Sequence, residues 1–179
     1  MPKQTQRTAR KSPKSPRDAI ALLRADHAKV TELFERFAKA RDGEKKRTLA
    51  REICSELTIH TTIEEEIFYP TVRGVLPREK DLLDEADVEH ATAKELIAQI
   101  EAGGPEDEKW SAKVTVLAEY IKHHVREEQN EMFPKVRKTR LDLRELGERL
   151  AMRKEQLAAS LSGRTRASRK SDARIESWI

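Results

Sequence analysis

From Ile20 to Leu157 apolar residues return every three or four positions, the period of one buried helix face. The first stripe, Ile20, Leu23, Val30, Phe34 and Phe37, predicts a helix running to about Arg41. Ser15-Pro16-Arg17-Asp18 reads as its start, with Ser15 as N-cap and Pro16 in the first turn, and Asp42-Gly43 as its stop. A second helix is predicted from Glu44 to Arg73 on Leu49, Ile53, Leu57, His60, Glu64, Ile67 and Thr71, with Pro70 expected to kink or end it. A third, over 79–102, carries Leu83, Ala86, His90, Ala93, Ile97 and Ile100, and Gly103-Gly104-Pro105 breaks it. A fourth, over 106–138, carries Trp110, Val114, Leu117, Ile121, His124, Glu128 and Met132. A weaker fifth pattern, over 141–160, rests on Leu143, Leu146, Leu150 and Leu157.

Long helices joined by short loops predict an all-α fold, an up-down-up-down antiparallel four-helix bundle with an additional C-terminal helix. The chain divides into a disordered basic tail (1–16), the bundle (17–138), the C-terminal helix (139–160) and a flexible tail (161–179). The fifth helix is expected to lie along the outside of the bundle or to extend from its end.

The 179 residues include only 6 Gly and 7 Pro, which argues against a turn-rich β fold. A single cysteine, Cys54, excludes a disulfide framework or a thiolate metal cage. No apolar run is long enough to cross a bilayer and no secretory signal is visible, so no membrane partner and a cytoplasmic location are expected. The net charge of +4 with a pI near 9.2 invites a nucleic-acid reading, but its distribution does not. Residues 1–17 hold six bases and no acid, and residues 161–179 five bases and two acids, which leaves the body between them net acidic. No nucleic-acid motif accompanies the basic tails, so nucleic acid is not an expected partner; the tails could contact a protein.

Four of the five histidines stand where the stripes demand an apolar residue. A buried imidazole must be hydrogen-bonded or metal-bound. The two halves of the body also repeat. Ala25-Asp26-His27 parallels Val88-Glu89-His90, and His60-Thr-Thr-Ile-Glu64 parallels His124-Val-Arg-Glu-Glu128. Pro70 and Pro134 stand at the same distance after those histidines, each behind an aromatic residue, Tyr69 and Phe133. His-x-x-x-Glu alone is a weak signal in a chain with 32 acids; its duplication with the paired histidines is a specific one.

Residues four apart share a helix face, so His60 with Glu64 and His124 with Glu128 can each aim a nitrogen and an oxygen at one point on the bundle axis. His27 and His90 arrive from the other two helices. Two buried carboxylates would be costly without cations. With two divalent ions, each could take two imidazoles while both carboxylates bridge, an oxide or hydroxide completing the pair. A sulfur-free N/O donor set suits iron or manganese, allows zinc, and does not suit magnesium or calcium.

Asp26-His27, the run HTTIEEEIFYP (60–70), Glu89-His90 and the run HHVREEQNEMFP (123–134) together resemble the hemerythrin-like (HHE cation-binding) family over about residues 20–138. The resemblance implies a four-helix bundle around a non-haem di-iron centre. On the matching positions His27, His60, Glu64, His90, His124 and Glu128 would be the ligands. Oxygen-carrying hemerythrins have a further histidine one turn after the third-helix ligand, where this chain has Lys94. A more symmetric four-His, two-Glu set is therefore implied, as in members that sense oxygen, nitric oxide, redox state or iron, or act in peroxide and nitrosative stress. The expected small ligand is a diatomic molecule or peroxide. Whether the centre senses such a ligand or turns it over as an enzyme (peroxide-consuming, ferroxidase or nitric-oxide-reducing) stays open at this level.

The remaining candidates have plainer expectations. His123 points about 100° away from His124 on an ideal helix and is expected on the rim, the alternative being an extra ligand or a proton donor beside the ligands. Glu65, Glu66 and Glu127 are expected in solvent or around the ligands. Tyr69 is expected to pack or to donate to a ligand, and Cys54 to have no redox duty.

Overall fold

The computed structural model describes residues 18–176, with side chains through residue 162. The regular elements of the described residues are all helical, and the helices are numbered as follows. Helix α1 spans Ala19–Lys39. Helix α2 spans Gly43–Ile63, widens into a π-helical turn at Glu64–Phe68 and resumes over Tyr69–Val75. A short 3-10 turn, Pro77–Glu79, leads into α3, Lys80–Ala102. Helix α4 spans Trp110–Glu127, has its own π turn at Glu128–Met132 and ends over Phe133–Val136. Helix α5 spans Leu143–Glu176.

Helices α1 to α4 form the bundle: α1 packs on α2 and α4, and α3 on α2 and α4. Helix α5 lies against α1 and α2. Asp18, not Ser15, caps α1, its carboxylate accepting from the Ala21 N–H at 2.7 Å. An acid is a strong N-cap because it satisfies an orphan donor and faces the positive end of the helix. Asp42 does the same for α2 at Lys45 N–H; α1 has already ended at Lys39, where Ala40 turns extended, so Asp42-Gly43 starts the second helix and does not stop the first.

Pro70 does not end α2, which continues through it to Val75. The π turn lets the Tyr69 N–H bond back five residues to the Glu64 carbonyl, and the Phe133 N–H does the same to Glu128. This wider register reduces the demand for an N–H at the following proline. The inserted residue also shifts the buried face. Phe68 and Val72 are fully buried, whereas the expected Ile67 and Thr71 are only half-buried.

Two apolar cores result. One, toward the α1–α2 and α3–α4 loops, is built from Val30, Leu33, Phe37, Leu49, Ile53, Leu57, Ile97, Trp110, Val114 and Leu117. Trp110 packs near Phe37 and donates from its indole N–H to the Ile100 carbonyl at 2.9 Å. The other holds Ile20, Leu23, Ile63, Phe68, Tyr69, Val72, Leu83, Phe133, Val136, and Leu146 and Leu150 of α5. Helix α5 is thus part of the core at this end. It also continues to Glu176, through residues expected to form a flexible tail. The expected basic tail 1–16 and residues 177–179 lie outside the described residues.

Gly147 lets α5 sit on the start of α1: a Cβ there would lie 2.8 Å from the Ala19 backbone nitrogen and 2.9 Å from the Asp18 carbonyl carbon. Neither atom can rotate away. Gly147→Ala should therefore lower stability by about 1–3 kcal/mol, although helix propensity alone predicts a gain of about 1 kcal/mol. Denaturant unfolding decides the sign.

Candidate metal centre

Between the two apolar cores lies one polar layer. Helix α1 supplies Asp26 and His27, α2 supplies His60, and its π turn supplies Glu64 and Glu65. Helix α3 supplies Glu89 and His90, α4 supplies His124, and its π turn supplies Glu128 and Gln129. Both π turns begin on the glutamates that the duplicated pattern singled out. The six residues expected to converge do so, and each is at most 4% exposed.

The imidazoles meet in pairs, one pair from each helical hairpin. His27 Nε2 lies 3.0 Å from His60 Nε2, and His90 Nε2 lies 3.2 Å from His124 Nε2. Glu64 Oε2 is 3.2 Å from His60 Nε2 and 3.5 Å from His90 Nε2, so it stands between the pairs. Glu128 Oε2 likewise stands 3.2 Å from His27 Nε2 and 3.7 Å from His124 Nε2. His27, His60, Glu64 and Glu128 offer ligand atoms all within 4.8 Å of one another, as do Glu64, His90 and His124.

Each imidazole turns its other nitrogen outward to a second group. Glu89 meets His124 Nδ1 at 2.8 Å, and Glu65 meets His90 Nδ1 at 3.1 Å. The Gln129 amide is 3.1 Å from His27 Nδ1, and Asp26 Oδ2 faces His60 Nδ1 at 3.6 Å. The acid preceding the first histidine of each hairpin thus serves the second histidine of that hairpin. The residue after each buried glutamate serves a histidine of the opposite hairpin. Such outer partners orient a ligating imidazole and set which nitrogen is free to bind.

Lys94 does not enter the layer: its ammonium holds both oxygens of Glu65, at 2.5 and 2.6 Å. Lys154 of α5 bonds Asp26, and Arg153 holds Glu66 at 2.6 and 2.9 Å. The Tyr69 hydroxyl donates to Glu128 Oε1 at 3.1 Å and lies 3.3 Å from His90 Nε2. His123 is on the rim, half-exposed, and Cys54 is buried.

Burial drives the electrostatics. It pushes the Glu64 carboxyl well above its ordinary range, and the charge of Glu128 adds to the push. Burial also raises Glu128, but His124 and His27 beside it outweigh this and hold it at about 2. Burial lowers His60 to about 4 and outweighs its Asp26 contact. One carboxylate therefore carries charge and its partner is driven toward the neutral acid, as expected for like charges sharing a dry site.

Neither Glu64 oxygen, nor Glu128 Oε2, has a hydrogen-bond partner among the described residues. Buried oxygens left so are rare and costly. Facing converging imidazole nitrogens, they form a donor set that fits cations.

An enclosed cavity touches the four histidines and is lined by Val30, Leu57, Thr61, Ile121 and Val125. The room in it for the centre of a water-sized sphere is about 10 Å³, enough for one such molecule. An open groove of about 410 Å³ reaches His27, Val125 and Gln129 from outside.

A sequence profile described as the hemerythrin HHE cation binding domain matches residues 18–136. The chain belongs to this family. Its fold is similar to the crystal structure of a hemerythrin HHE cation-binding domain-containing protein from Mycobacterium kansasii, with a TM-score of 0.72 and 25% identity over 83% of this chain and 92% of that one. A protein from Nostoc sp. (strain PCC 7120) named DNA nickase is 34% identical over 116 residues. That match takes in 65% of this chain but only 32% of the relative, so this HHE chain spans about a third of that protein's length.

In this HHE domain the duplicated pattern located all six inward-facing residues. The roles of Asp26, Glu89, Gln129 and Lys154 were not read from it. Asp26 and Glu89 did carry a signal, since each precedes a histidine in a repeated pair. Gln129 and Lys154 carried none, because their contacts come from separate helices.

A folded-state carboxyl raised above its ordinary 4.5 contributes stability below that pH and loses it as pH rises through the raised value. At neutral pH Glu64 therefore burdens the metal-free fold. Glu64→Gln should stabilise metal-free protein by about 1–3 kcal/mol near neutral pH, while removing most of the stabilisation that added metal gives wild type. Thermal melts with and without metal measure both. Asp26→Asn should weaken metal binding by about 10- to 100-fold through His60, read by competition with a chelator.

Proposed function

We propose that the polar layer is a non-haem dinuclear iron centre that binds a small ligand: oxygen, nitric oxide or peroxide. His27 and His60 would hold one ion, His90 and His124 the other, with Glu64 and Glu128 shared between them. The carrying observation is that two carboxylates without full hydrogen bonding stand between two imidazole pairs. Family membership supports cation binding, and the N/O donor set favours iron, with manganese or zinc compatible.

Bound iron would supply the redox and Lewis-acid chemistry, and the chain's residues do the rest. Val30, Leu57, Ile121 and Val125 exclude water and limit the ligand to a few atoms. Asp26, Glu65, Glu89 and Gln129 aim the imidazoles. Tyr69 keeps a proton beside Glu128 and His90, because burial pushes its hydroxyl well above the ordinary value. This phenol favours a second reading, an enzyme consuming peroxide, since it could donate at the site. DNA cleavage, suggested by the Nostoc relative's name, suits the site poorly: the cavity beside the buried layer holds one water-sized molecule.

Protein purified without air should contain about two irons per chain, as a dinuclear carboxylate–histidine bundle site requires. His60→Ala should lose most of it; a metal-free wild type with its histidine core intact refutes the reading. Iron-loaded protein whose spectrum shifts with oxygen or nitric oxide, without evolving oxygen from peroxide, identifies a binding module. Peroxide turnover that falls about tenfold or more in Tyr69→Phe identifies the enzyme.

A further inference from the structure

Beside the six inward-facing residues, one other group of metal-ligating side chains comes together among the described residues. Glu89 of α3 and His123 and Glu127 of α4 bring ligand atoms within 4.8 Å of one another. His123 Nε2 lies 3.1 Å from Glu127 Oε1 and 3.7 Å from Glu89 Oε1. Two nitrogen or oxygen ligands each about 2.1 Å from a first-row ion stand roughly 3.0–3.5 Å apart, so these separations need little adjustment. His123 and Glu127 are one turn apart on one helix face, which holds them together without a loop.

Glu89 links this group to the interior. It is only 7% exposed, and its Oε2 meets His124 Nδ1 at 2.8 Å while Oε1 faces His123. An open groove of about 480 Å³, with Glu85, Glu89 and Glu119 in its wall, reaches His123 from solvent. One charge opposes a cation here: Arg126 Nη2 lies 3.2 Å from His123 Nδ1. As a donor it makes Nδ1 the acceptor and leaves the proton on Nε2, the tautomer that does not ligate at Nε2. Arg126 is exposed and can withdraw.

We propose that Glu89, His123 and Glu127 form a separate surface site for one divalent first-row transition-metal ion. One imidazole and two carboxylates leave positions for water, as in open zinc or iron(II) sites. The site is weaker than the buried centre because it is half-exposed and faces Arg126. An ion held here is one carboxylate away from His124, so the site serves as a station between solvent and the buried centre. That role, unlike the site itself, rests on the dinuclear reading above.

Zinc titration of the iron-loaded protein by calorimetry tests the site. Wild type should bind one zinc per chain beyond its iron. His123→Ala and Glu127→Ala should lose that zinc and keep the iron, and Arg126→Ala should bind it several-fold more tightly. Equal zinc binding by wild type and His123→Ala overturns the site. If the protein holds no iron, the dinuclear reading fails, yet metal-free wild type should still bind one zinc more than His123→Ala. Stopped-flow iron(II) uptake tests the role: it should be several-fold slower in His123→Ala at unchanged final content, and an unchanged rate overturns it.

Discussion

Two glutamates, each at most 1% exposed, lie in the middle of a helical bundle with four imidazoles and little else that is polar to meet them. Nearly everything else about the molecule follows from making that layer tolerable. Apolar cores close it off on both sides, one sealed by Trp110 and the other by Leu146 and Leu150 of α5. Burial then divides the pair into a charged Glu128 and a Glu64 driven toward its neutral form. Cations would relieve this conflict, which the protein alone leaves in place as unpaired oxygens.

The backbone adapts at the same two points. Each buried glutamate opens a π turn, and each turn precedes a proline that the helix then accommodates. A π turn adds a residue within the helix and so re-aims the side chains after it. In α2 this places Phe68 and Tyr69 inward, and Tyr69 becomes the hydroxyl that reaches Glu128.

The two halves are not equivalent around the six inward-facing residues. Glu65 holds His90 and is itself held by Lys94, whereas its counterpart Gln129 meets His27 as a neutral amide. Asp26 is held by Lys154 of α5, whereas its counterpart Glu89 faces His123 and Glu127. Burial alone would raise the Asp26 carboxyl, but His60 and Lys154 together hold it below its ordinary range. Helix α5 is thereby joined to the surroundings of His60, and the α3–α4 side is open to solvent at His123.

The sequence by itself determined the helical class, the bundle and the six residues that meet inside it. Helical periodicity is local, and a polar residue breaking an apolar stripe at matching places in two hairpins leaves few other arrangements. The tertiary structure decided what depends on contacts between helices: which acid faces which imidazole, that Lys94 holds Glu65, and that α5 joins the core and reaches Asp26. It also decided the π turns: Pro70 suggested a kink or an end to α2, and only the buried glutamates with the packing of Phe68 and Phe133 select a wider turn through which both helices continue. A stripe shows which face of a helix is buried; the partner that face meets depends on rotation and register between helices, which no single helix encodes.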